Sequence, residues 1–140
     1  MKKILIMGLP GSGKTTFAKE LLDGLGKNKI SYAWFNADAI RKMLSDWDFS
    51  LEGRVRQAQR MTDKANICKT INIVAVCDFV CPTEQLRKLF DADILIWMDT
   101  IRESEFEDTN RLFESPSRYD FRIKRYDQYD EVISEVIELI

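Results

Sequence analysis

The chain opens with a complete phosphate-binding loop, and this motif constrains the fold more than any other feature. Residues 8–15 read Gly-Leu-Pro-Gly-Ser-Gly-Lys-Thr and fit the pattern G-x-x-x-x-G-K-T. The apolar run Ile4–Met7 lies in front of the loop, and apolar side chains at helical spacing follow it. The motif needs a strand before it and a helix behind it, because backbone amides and a helix N-terminus must surround a phosphate. The sequence therefore predicts a nucleoside triphosphate site, with ATP as the expected nucleotide.

Each position of the loop has an expected role. Glycines permit backbone angles and close approaches that a Cβ atom would block. Lys14 places an ammonium near the β- and γ-phosphates, and the Thr15 hydroxyl is suited to bind Mg²⁺. Thr16 can reach the α-phosphate side from the first helical turn. We expect the nucleotide to contact the loop at Gly8, Gly11, Ser12, Gly13, Lys14, Thr15 and Thr16.

Length and composition bound the function classes. The chain has 140 residues, which suits a single domain over residues 1–140 with one substantial core. Its net charge of −2 argues against a nucleic-acid-binding surface. Because it shows no membrane-length apolar run and no signal peptide, we expect a cytoplasmic protein without a membrane partner. There is no histidine, so any proton acceptor must be a carboxylate or water, and the three cysteines are expected to be free buried thiols.

Apolar runs alternate with helical patterns along the rest of the chain. The runs lack polar alternation, which is typical of parallel strands covered on both faces. We therefore predict a P-loop NTPase fold of the α/β class, with three α/β/α layers and a mostly parallel five-stranded sheet. The predicted strands are 2–7, 31–35, 71–76, 94–98 and 121–123, and the predicted helices run from the loop to about Gly24 or Gly26, through 36–44 and 50–69, from Thr83 to Phe90, and over 132–140.

The predicted long helix, 50–69, has two faces. Its apolar face is expected to carry Val55, Ala58, Met61, Ala65 and Cys68. The expected solvated face carries Arg54, Arg56, Arg60 and Lys64.

Three aspartates follow predicted strands and compete for the chemistry. Ligands bind at the carboxyl ends of parallel strands, so Asp38, Asp78 and Asp99 are expected in one cleft. Phosphoryl transfer to a hydroxyl needs a carboxylate that orients the acceptor, and bound Mg²⁺ usually recruits another. Asp38 stands one helical turn before Arg41 and is the preferred catalytic residue beside Lys14. Thr15, Asp38 and Asp78 are the candidate metal ligands, and a solvated turn or helix cap is the alternative for each aspartate.

Beyond the loop, the residues resemble those of adenylylsulfate kinases, which phosphorylate the 3′-hydroxyl of adenosine 5′-phosphosulfate with ATP. Residues 36–41 are similar to the family's D-G-D-x-V-R segment, and residues 49–57 to its F-S-x-x-D-R-x-E-N segment. Residues 79–82 resemble its F-I-S-P turn, and Asp99-Thr100 its D-T pair. Residues 106–123 resemble the family segment that begins with an adenine-stacking Phe.

The resemblance implies roles for individual residues. Phe49 and Arg54 would contact the sulfonucleotide, and Phe49 with Phe106 would sandwich an adenine ring. Apart from the resemblance, guanidinium groups suit an anionic acceptor, so Arg41, Arg54 and in addition Arg60 can bind phosphate or sulfate oxygens. For the two phenylalanines the alternative is core packing, and for Arg60 it is a solvated helix face. The implied substrate-binding residues are Asp38, Arg41, Phe49, Arg54, Gln57 and Phe106.

The chain also departs from the family pattern. Gln57 replaces an Asn, Gln59 replaces an Arg, and Asp78 stands where the family has a small residue. The basic lid segment is nearly absent, since only residues 100–105 separate Asp99 from Phe106. A truncated lid excludes water less well and supplies fewer cations, which predicts slower turnover or a different acceptor.

Three functions follow as hypotheses. The first is a kinase for adenosine 5′-phosphosulfate that uses ATP and Mg²⁺. The second is a kinase of the same fold for another hydroxyl, on a nucleoside, a nucleotide or a nucleic-acid end. The third is a non-catalytic ATP-binding module that controls a partner. A homodimer is an open expectation for all three.

Overall fold

Five parallel strands form the centre of the protein. The structure is a computed structural model that describes residues 2–140. Its sheet has the order β2-β3-β1-β4-β5, and every paired strand runs parallel to its neighbour. This confirms the predicted fold class. The strands are β1 Lys3–Met7, β2 Tyr32–Asn36, β3 Val74–Asp78, β4 Ile94–Met98 and β5 Phe121–Ile123.

Within the described residues, six helices and one 3₁₀ turn connect the strands or follow the last strand. The helices are α1 Lys14–Lys27, α2 Ala37–Leu44, α3 Leu51–Thr70, α4 Glu84–Phe90, α5 Glu107–Leu112 and α6 Tyr129–Leu139, and the 3₁₀ turn is Tyr126–Gln128. The sequence pattern did not predict α5 or the 3₁₀ turn. Thr83 caps α4 as predicted, because its side chain accepts a hydrogen bond from the Leu86 amide. Among residues 2–140, no helix combines the length and apolar character needed to cross a bilayer.

Alternate side chains of the sheet enter two separate cores. Ile4 and Ile6 of β1 pack with α1 and α6 on one face. Leu5 and Met7 pack with α3 and α4 on the other face. Since helices cover both faces, the predicted three-layer architecture is confirmed. The order of strands puts β1 in the middle, so the loop that follows β1 lies beside the ends of β3 and β4.

The third strand begins later than predicted. The apolar run suggested a start at Ile71, but α3 extends to Thr70 and β3 begins at Val74. Ile71 is the C-cap of α3, and Asn72 has a φ of 61°. The chain turns at these two residues, so the predicted boundary was wrong.

The faces of α3 also differ from the prediction. Arg54 is 8% exposed, whereas Val55 is 43% exposed. Counting back from Met61 in helical steps of three and four residues leads to Ala58 and then to Arg54, so Arg54 lies on the buried face. Val55 points to solvent. The buried arginine brings a positive charge to the edge of the core, next to the cleft described below.

Candidate active site

A cleft of about 790 Å³ opens at the carboxyl ends of the strands. The phosphate loop forms one wall, and the start of α2 and the residues after β3 form others. The loop before α3 and the start of α5 complete the lining. Most of the predicted site residues line this cleft, namely Gly11, Gly13, Lys14, Thr15, Thr16, Asp38, Arg41, Phe49, Arg54, Gln57, Asp78 and Phe106.

The phosphate loop turns directly into α1. Gly13 is the N-cap of α1 and has a φ of 93°, in the left-handed region that glycine adopts without strain. Gly8 and Ser12 are buried members of the loop and do not line the cleft, so their contact with nucleotide stays a prediction. The Ser12 carbonyl accepts a 2.7 Å hydrogen bond from the Thr100 hydroxyl. This bond joins the loop to the segment after β4.

Lys14 holds its ammonium inside the loop. Its Nζ donates a 2.8 Å hydrogen bond to the carbonyl oxygen of Leu9. Burial lowers the pKa of Lys14 to about 8, against the opposing effect of the nearby carboxylates of Asp78 and Asp38. The ammonium is therefore poorly solvated, and anionic phosphate oxygens in the cleft would favour its charged form.

Asp78 lies on the floor of the cleft and is held by three donors. Its Oδ2 accepts hydrogen bonds from the Thr15 hydroxyl at 3.2 Å and from the Asn36 amide at 3.0 Å. Its Oδ1 accepts a 2.9 Å hydrogen bond from Trp34 Nε1. Asp78 is 2% exposed, and burial raises its pKa while the three donors oppose that shift. The carboxylate is thus fixed beside the Thr15 hydroxyl.

Thr15 and Asp78 fit a magnesium ion. Both present oxygen atoms, the ligand type that Mg²⁺ prefers. Within residues 2–140 no group of three or more His, Cys, Asp or Glu side chains is arranged to hold a metal. Kinase sites usually hold Mg²⁺ through one or two protein ligands and the substrate phosphates, so a larger cluster is not required.

Sequence analysis missed Trp34 and Asn36. The signal was nevertheless present in the strand pairing, because β2 lies beside β3 with Asn36 opposite Asp78 and Trp34 opposite Val76. Residues that are two positions apart in a strand point to the same face of the sheet, so the Trp34 and Asn36 side chains both reach the Asp78 carboxylate. Asn36 also caps α2, since its Oδ1 accepts a 2.9 Å hydrogen bond from the Ala39 amide.

Asp38 and Arg41 lie on α2 and line the same cleft. Asp38 is exposed in the first turn, whereas Arg41 is buried. Nη1 of Arg41 donates to the carbonyl oxygens of Asp46 at 3.1 Å and Asp48 at 3.2 Å. Arg41 forms no salt bridge with any residue in the described range. Burial lowers its pKa, so a bound anion would stabilise the charged guanidinium.

Arg54 and Gln57 hold neighbouring parts of the cleft together. Arg54 donates to the Phe49 carbonyl at 2.9 Å and to the Thr109 hydroxyl at 2.9 Å. Gln57 donates to the Ala37 carbonyl at 3.0 Å. Arg54 therefore links the loop before α3 to α5, and Gln57 links α3 to α2.

Two predicted members of the site lie elsewhere. Arg60 donates to Asp46 at 2.6 Å and to the Gln57 side chain at 3.0 Å, and it does not line the cleft. Asp99 accepts hydrogen bonds at 2.6 and 2.9 Å from Arg122, which β5 brings beside the end of β4. Asp99 is also absent from the lining of the cleft. The prediction that one cleft collects all three strand-end aspartates was wrong for this residue.

The aromatic lining includes one side chain that sequence analysis missed. Trp47 lines the cleft and is 53% exposed, and its ring centre lies 6.5 Å from that of Phe49. Phe49 packs against both arginines, with its ring centre 4.4 Å from Arg41 Cζ and 5.4 Å from Arg54 Cζ. Phe106 is exposed at the N-terminus of α5. Phe49 and Phe106 line one cleft, and an adenine sandwich between them stays a prediction.

Comparison with known proteins gives consistent matches. A family model described as adenylylsulphate kinase matches residues 2–114. A probable adenylyl-sulfate kinase of Aeropyrum pernix is 33% identical over 87 residues, which is 61% of this chain and 48% of the relative. A probable adenylyl-sulfate kinase of Pseudomonas aeruginosa is 33% identical over 76 residues, which is 54% of this chain and 36% of the relative.

A solved structure agrees along nearly the whole chain. The structure of the Mycobacterium tuberculosis APS kinase CysC in complex with AMPPNP and APS matches with a TM-score of 0.81 and 21% identity, and covers 99% of this chain and 96% of that one. At this identity the likeness shows the fold. The matched segment spans about half of the Aeropyrum relative's length and less of the Pseudomonas relative's.

Proposed function

The chain belongs to the adenylylsulphate kinase family, and on that premise we propose that it transfers the γ-phosphoryl group of ATP to the 3′-hydroxyl of adenosine 5′-phosphosulfate. The proposed enzyme is a single kinase domain over residues 1–140 that acts in the cytoplasm, where ATP is available. A homodimer is part of the same proposal, supported by exposed apolar side chains of Met43, Leu44 and Leu51 around α2 and α3.

One observation carries this proposal. The phosphate loop and the residues suited to hold an anionic acceptor line a single cleft. Phosphoryl transfer requires donor and acceptor side by side and aligned, and most of its catalysis is positioning and charge stabilisation. A cleft with the Lys14 ammonium on one side and Asp38 and Arg41 on another meets this requirement.

On the donor side, Lys14 and the loop amides would stabilise the charge that develops on the phosphoryl oxygens. Lys14 would exchange its bond to the Leu9 carbonyl for bonds to phosphate. Thr15 and Asp78 would hold Mg²⁺, which supplies positive charge beside the phosphates when it is bound. Trp34 and Asn36 keep the Asp78 carboxylate oriented for this role.

On the acceptor side, Asp38 would accept a hydrogen bond from the attacking hydroxyl and take up its proton. No histidine is available for this step in the sequence. Arg41 and Arg54 would bind the anionic end of the acceptor, since both guanidinium groups are buried beside the cleft and no carboxylate among residues 2–140 forms a salt bridge with Arg41. Gln57 and Phe106 would complete the acceptor site.

A coupled assay of ADP release tests the proposal. We expect adenosine 5′-phosphosulfate to stimulate ADP release with saturation, and the product to carry a new 3′-phosphate. Lys14→Ala and Asp38→Ala should each lower kcat/KM by about 10²-fold or more. The control Asp23→Ala changes an exposed carboxylate on α1 outside the cleft and should leave activity unchanged.

The same variants separate an enzyme from an ATP-binding module. A module that only binds ATP would lose its function in Lys14→Ala and keep it in Asp38→Ala. ADP release that no concentration of adenosine 5′-phosphosulfate stimulates would contradict the proposed acceptor.

A second candidate is a kinase for another hydroxyl acceptor. The short segment between Asp99 and Phe106 favours it, because few residues remain there to enclose a particular substrate. A panel of nucleosides, nucleotides and nucleic-acid ends, each tested for stimulation of ADP release, would identify such an acceptor.

A further inference from the structure

We propose that Trp47 is a stacking platform for the acceptor, so that this cleft selects alcohols that combine a flat heteroaromatic ring with an anionic group. This inference rests on the proposed kinase function and names a specificity residue that the sequence pattern did not indicate. Trp47 lies in the loop 45–50, between α2 and α3.

The position of Trp47 is unusual for a tryptophan. More than half of its side-chain surface is exposed, at the lining of the cleft. Its neighbour Phe49 is 46% exposed and tilted by 37° against it. Together the two rings present a large apolar surface to the interior of the cleft. Aromatic side chains on nucleic-acid-binding proteins stack bases by this kind of exposed face.

The loop that carries Trp47 is fixed on both sides of it. Arg56 donates to the Asp46 carboxylate at 2.9 Å and to the Asp48 carboxylate at 3.1 Å. Arg60 donates to Asp46 at 2.6 Å. Arg41 binds the carbonyl oxygens of Asp46 and Asp48. The residues immediately before and after the tryptophan are therefore anchored to α2 and α3.

Close packing of the loop on α3 restrains it further. A Cβ atom at Gly53 would collide with the Asp48 carbonyl oxygen, so only glycine lets the loop approach the helix. An aromatic ring on an anchored loop loses little conformational freedom when a ligand stacks on it. Exposure and anchoring together are what a binding platform requires.

Charge beside the platform defines the rest of the ligand. Arg41 and Arg54 pack against Phe49, and Arg54 Nη2 lies 3.8 Å from the exposed Asp108 carboxylate. The cleft therefore presents aromatic surface and two buried cations at the same place. A ligand with an aromatic ring and an anionic group can stack on the aromatic surface and pair with the cations. An aliphatic polyol phosphate or a sugar phosphate can only pair with the cations.

Tryptophan fluorescence and steady-state kinetics test the inference. The probes are adenosine 5′-phosphosulfate, which has a heteroaromatic ring and an anionic group, and ribose 5-phosphate, which has an anionic group and no aromatic ring. We expect saturable quenching of wild-type fluorescence by the first probe. Trp47→Ala should raise its Kd and KM by about 5- to 30-fold, as expected for the loss of one stacked ring. Trp47→Phe should retain most of the affinity and lose the quenching.

Ribose 5-phosphate provides the matched comparison, because its inhibition constant should be the same in wild type and Trp47→Ala. Ile67→Ala removes another exposed apolar side chain, on α3 and outside the cleft, and should leave both probes unaffected.

Two results would overturn the inference. One is a Kd for adenosine 5′-phosphosulfate that stays within twofold in both Trp47 variants, as expected if the tryptophan only shields Phe49. The other is equal weakening of both probes, as expected if the variants merely disturb the loop. Calorimetry of ADP binding keeps the two proposals apart. If wild-type protein binds nucleotide and shows acceptor-stimulated turnover, and the Trp47 variants have the same Kd and KM, the stacking role of Trp47 is rejected and the kinase function is not. If wild-type protein shows no acceptor-stimulated turnover, the kinase function is rejected.

Discussion

At the scale of single residues, three hydrogen-bond donors from two other elements determine the orientation of the Asp78 carboxylate. Thr15 comes from α1, and Trp34 and Asn36 come from β2. A carboxylate that is fixed by neighbours before a metal arrives loses little freedom on binding, and such neighbours commonly change metal affinity when they are removed. The indole N–H of Trp34 is a hydrogen-bond donor and not a metal ligand, so its contribution to the proposed metal site can be measured separately.

Trp34→Phe should weaken the magnesium-dependent part of nucleotide binding. The variant keeps an aromatic ring, removes the hydrogen bond to Asp78 Oδ1 and makes the side chain smaller. We expect the apparent Mg²⁺ affinity of the ADP complex to fall about tenfold, with binding of metal-free ADP unchanged. Calorimetry with and without Mg²⁺ makes the comparison. The control Trp97→Phe changes a tryptophan on β4 outside the cleft, and an equal loss in both variants would contradict the role of Trp34.

At the scale of elements, the loop between α2 and α3 is held by charge. Asp46 accepts hydrogen bonds from both Arg56 and Arg60, and these bonds hold the pKa of the Asp46 carboxyl well below its ordinary value of 3.8. A carboxyl group whose pKa is lower in the folded state stabilises the fold at pH values above its unfolded pKa. That stabilisation is lost as the pH falls below about 4 and continues to be lost down to the folded-state pKa.

Asp46→Asn should therefore lower the melting temperature in a pH-dependent way. We expect a decrease of about 2–4 °C at pH 7, because the ion pairs of Asp46 with Arg56 and Arg60 are partly exposed to solvent and screened. The difference from wild type should narrow between pH 4 and pH 3. Thermal unfolding followed by circular dichroism measures both values. Asp63→Asn, which changes a carboxylate on α3 that accepts a hydrogen bond from the uncharged Gln59 side chain, is the control and should show neither effect. A difference that is the same at every pH would exclude the ionic explanation.

At the scale of the whole molecule, much of the architecture was predictable because its signals are local. The loop, its flanking strand and helix, and the apolar strands follow from patterns a few residues long, and the five-stranded parallel sheet is confirmed. Arg54 was misassigned because its charge suggested a solvated face, and the hydroxyl that accepts from it in the core belongs to Thr109, 55 positions away. Trp34 was missed for a similar reason, since its role appears only when β2 pairs with β3. The short helix α5 offers too few turns for a periodic pattern.

The short segment between Asp99 and Phe106 affects how well the whole cleft can be closed to water. In the described chain, only residues 99–105 connect the end of β4 to Phe106. Thr100 is bonded to the phosphate loop, and the Ser104 hydroxyl donates a 2.7 Å hydrogen bond to Asn110, so both ends of the segment are tied down. A connection this short and anchored leaves the cleft open to water, and water is a competing phosphoryl acceptor.

We therefore expect part of the ATP turnover to be hydrolysis. With saturating adenosine 5′-phosphosulfate, ADP should measurably exceed phosphorylated product, because incomplete closure lets water compete with the acceptor hydroxyl. Separate measurement of ADP and product by chromatography gives this ratio. Lys14→Ala should abolish ADP release with and without acceptor, which assigns the hydrolysis to this cleft rather than to a contaminant. Strict equality of ADP and product, with no ADP formed when the acceptor is omitted, would mean that the remaining residues exclude water without a lid.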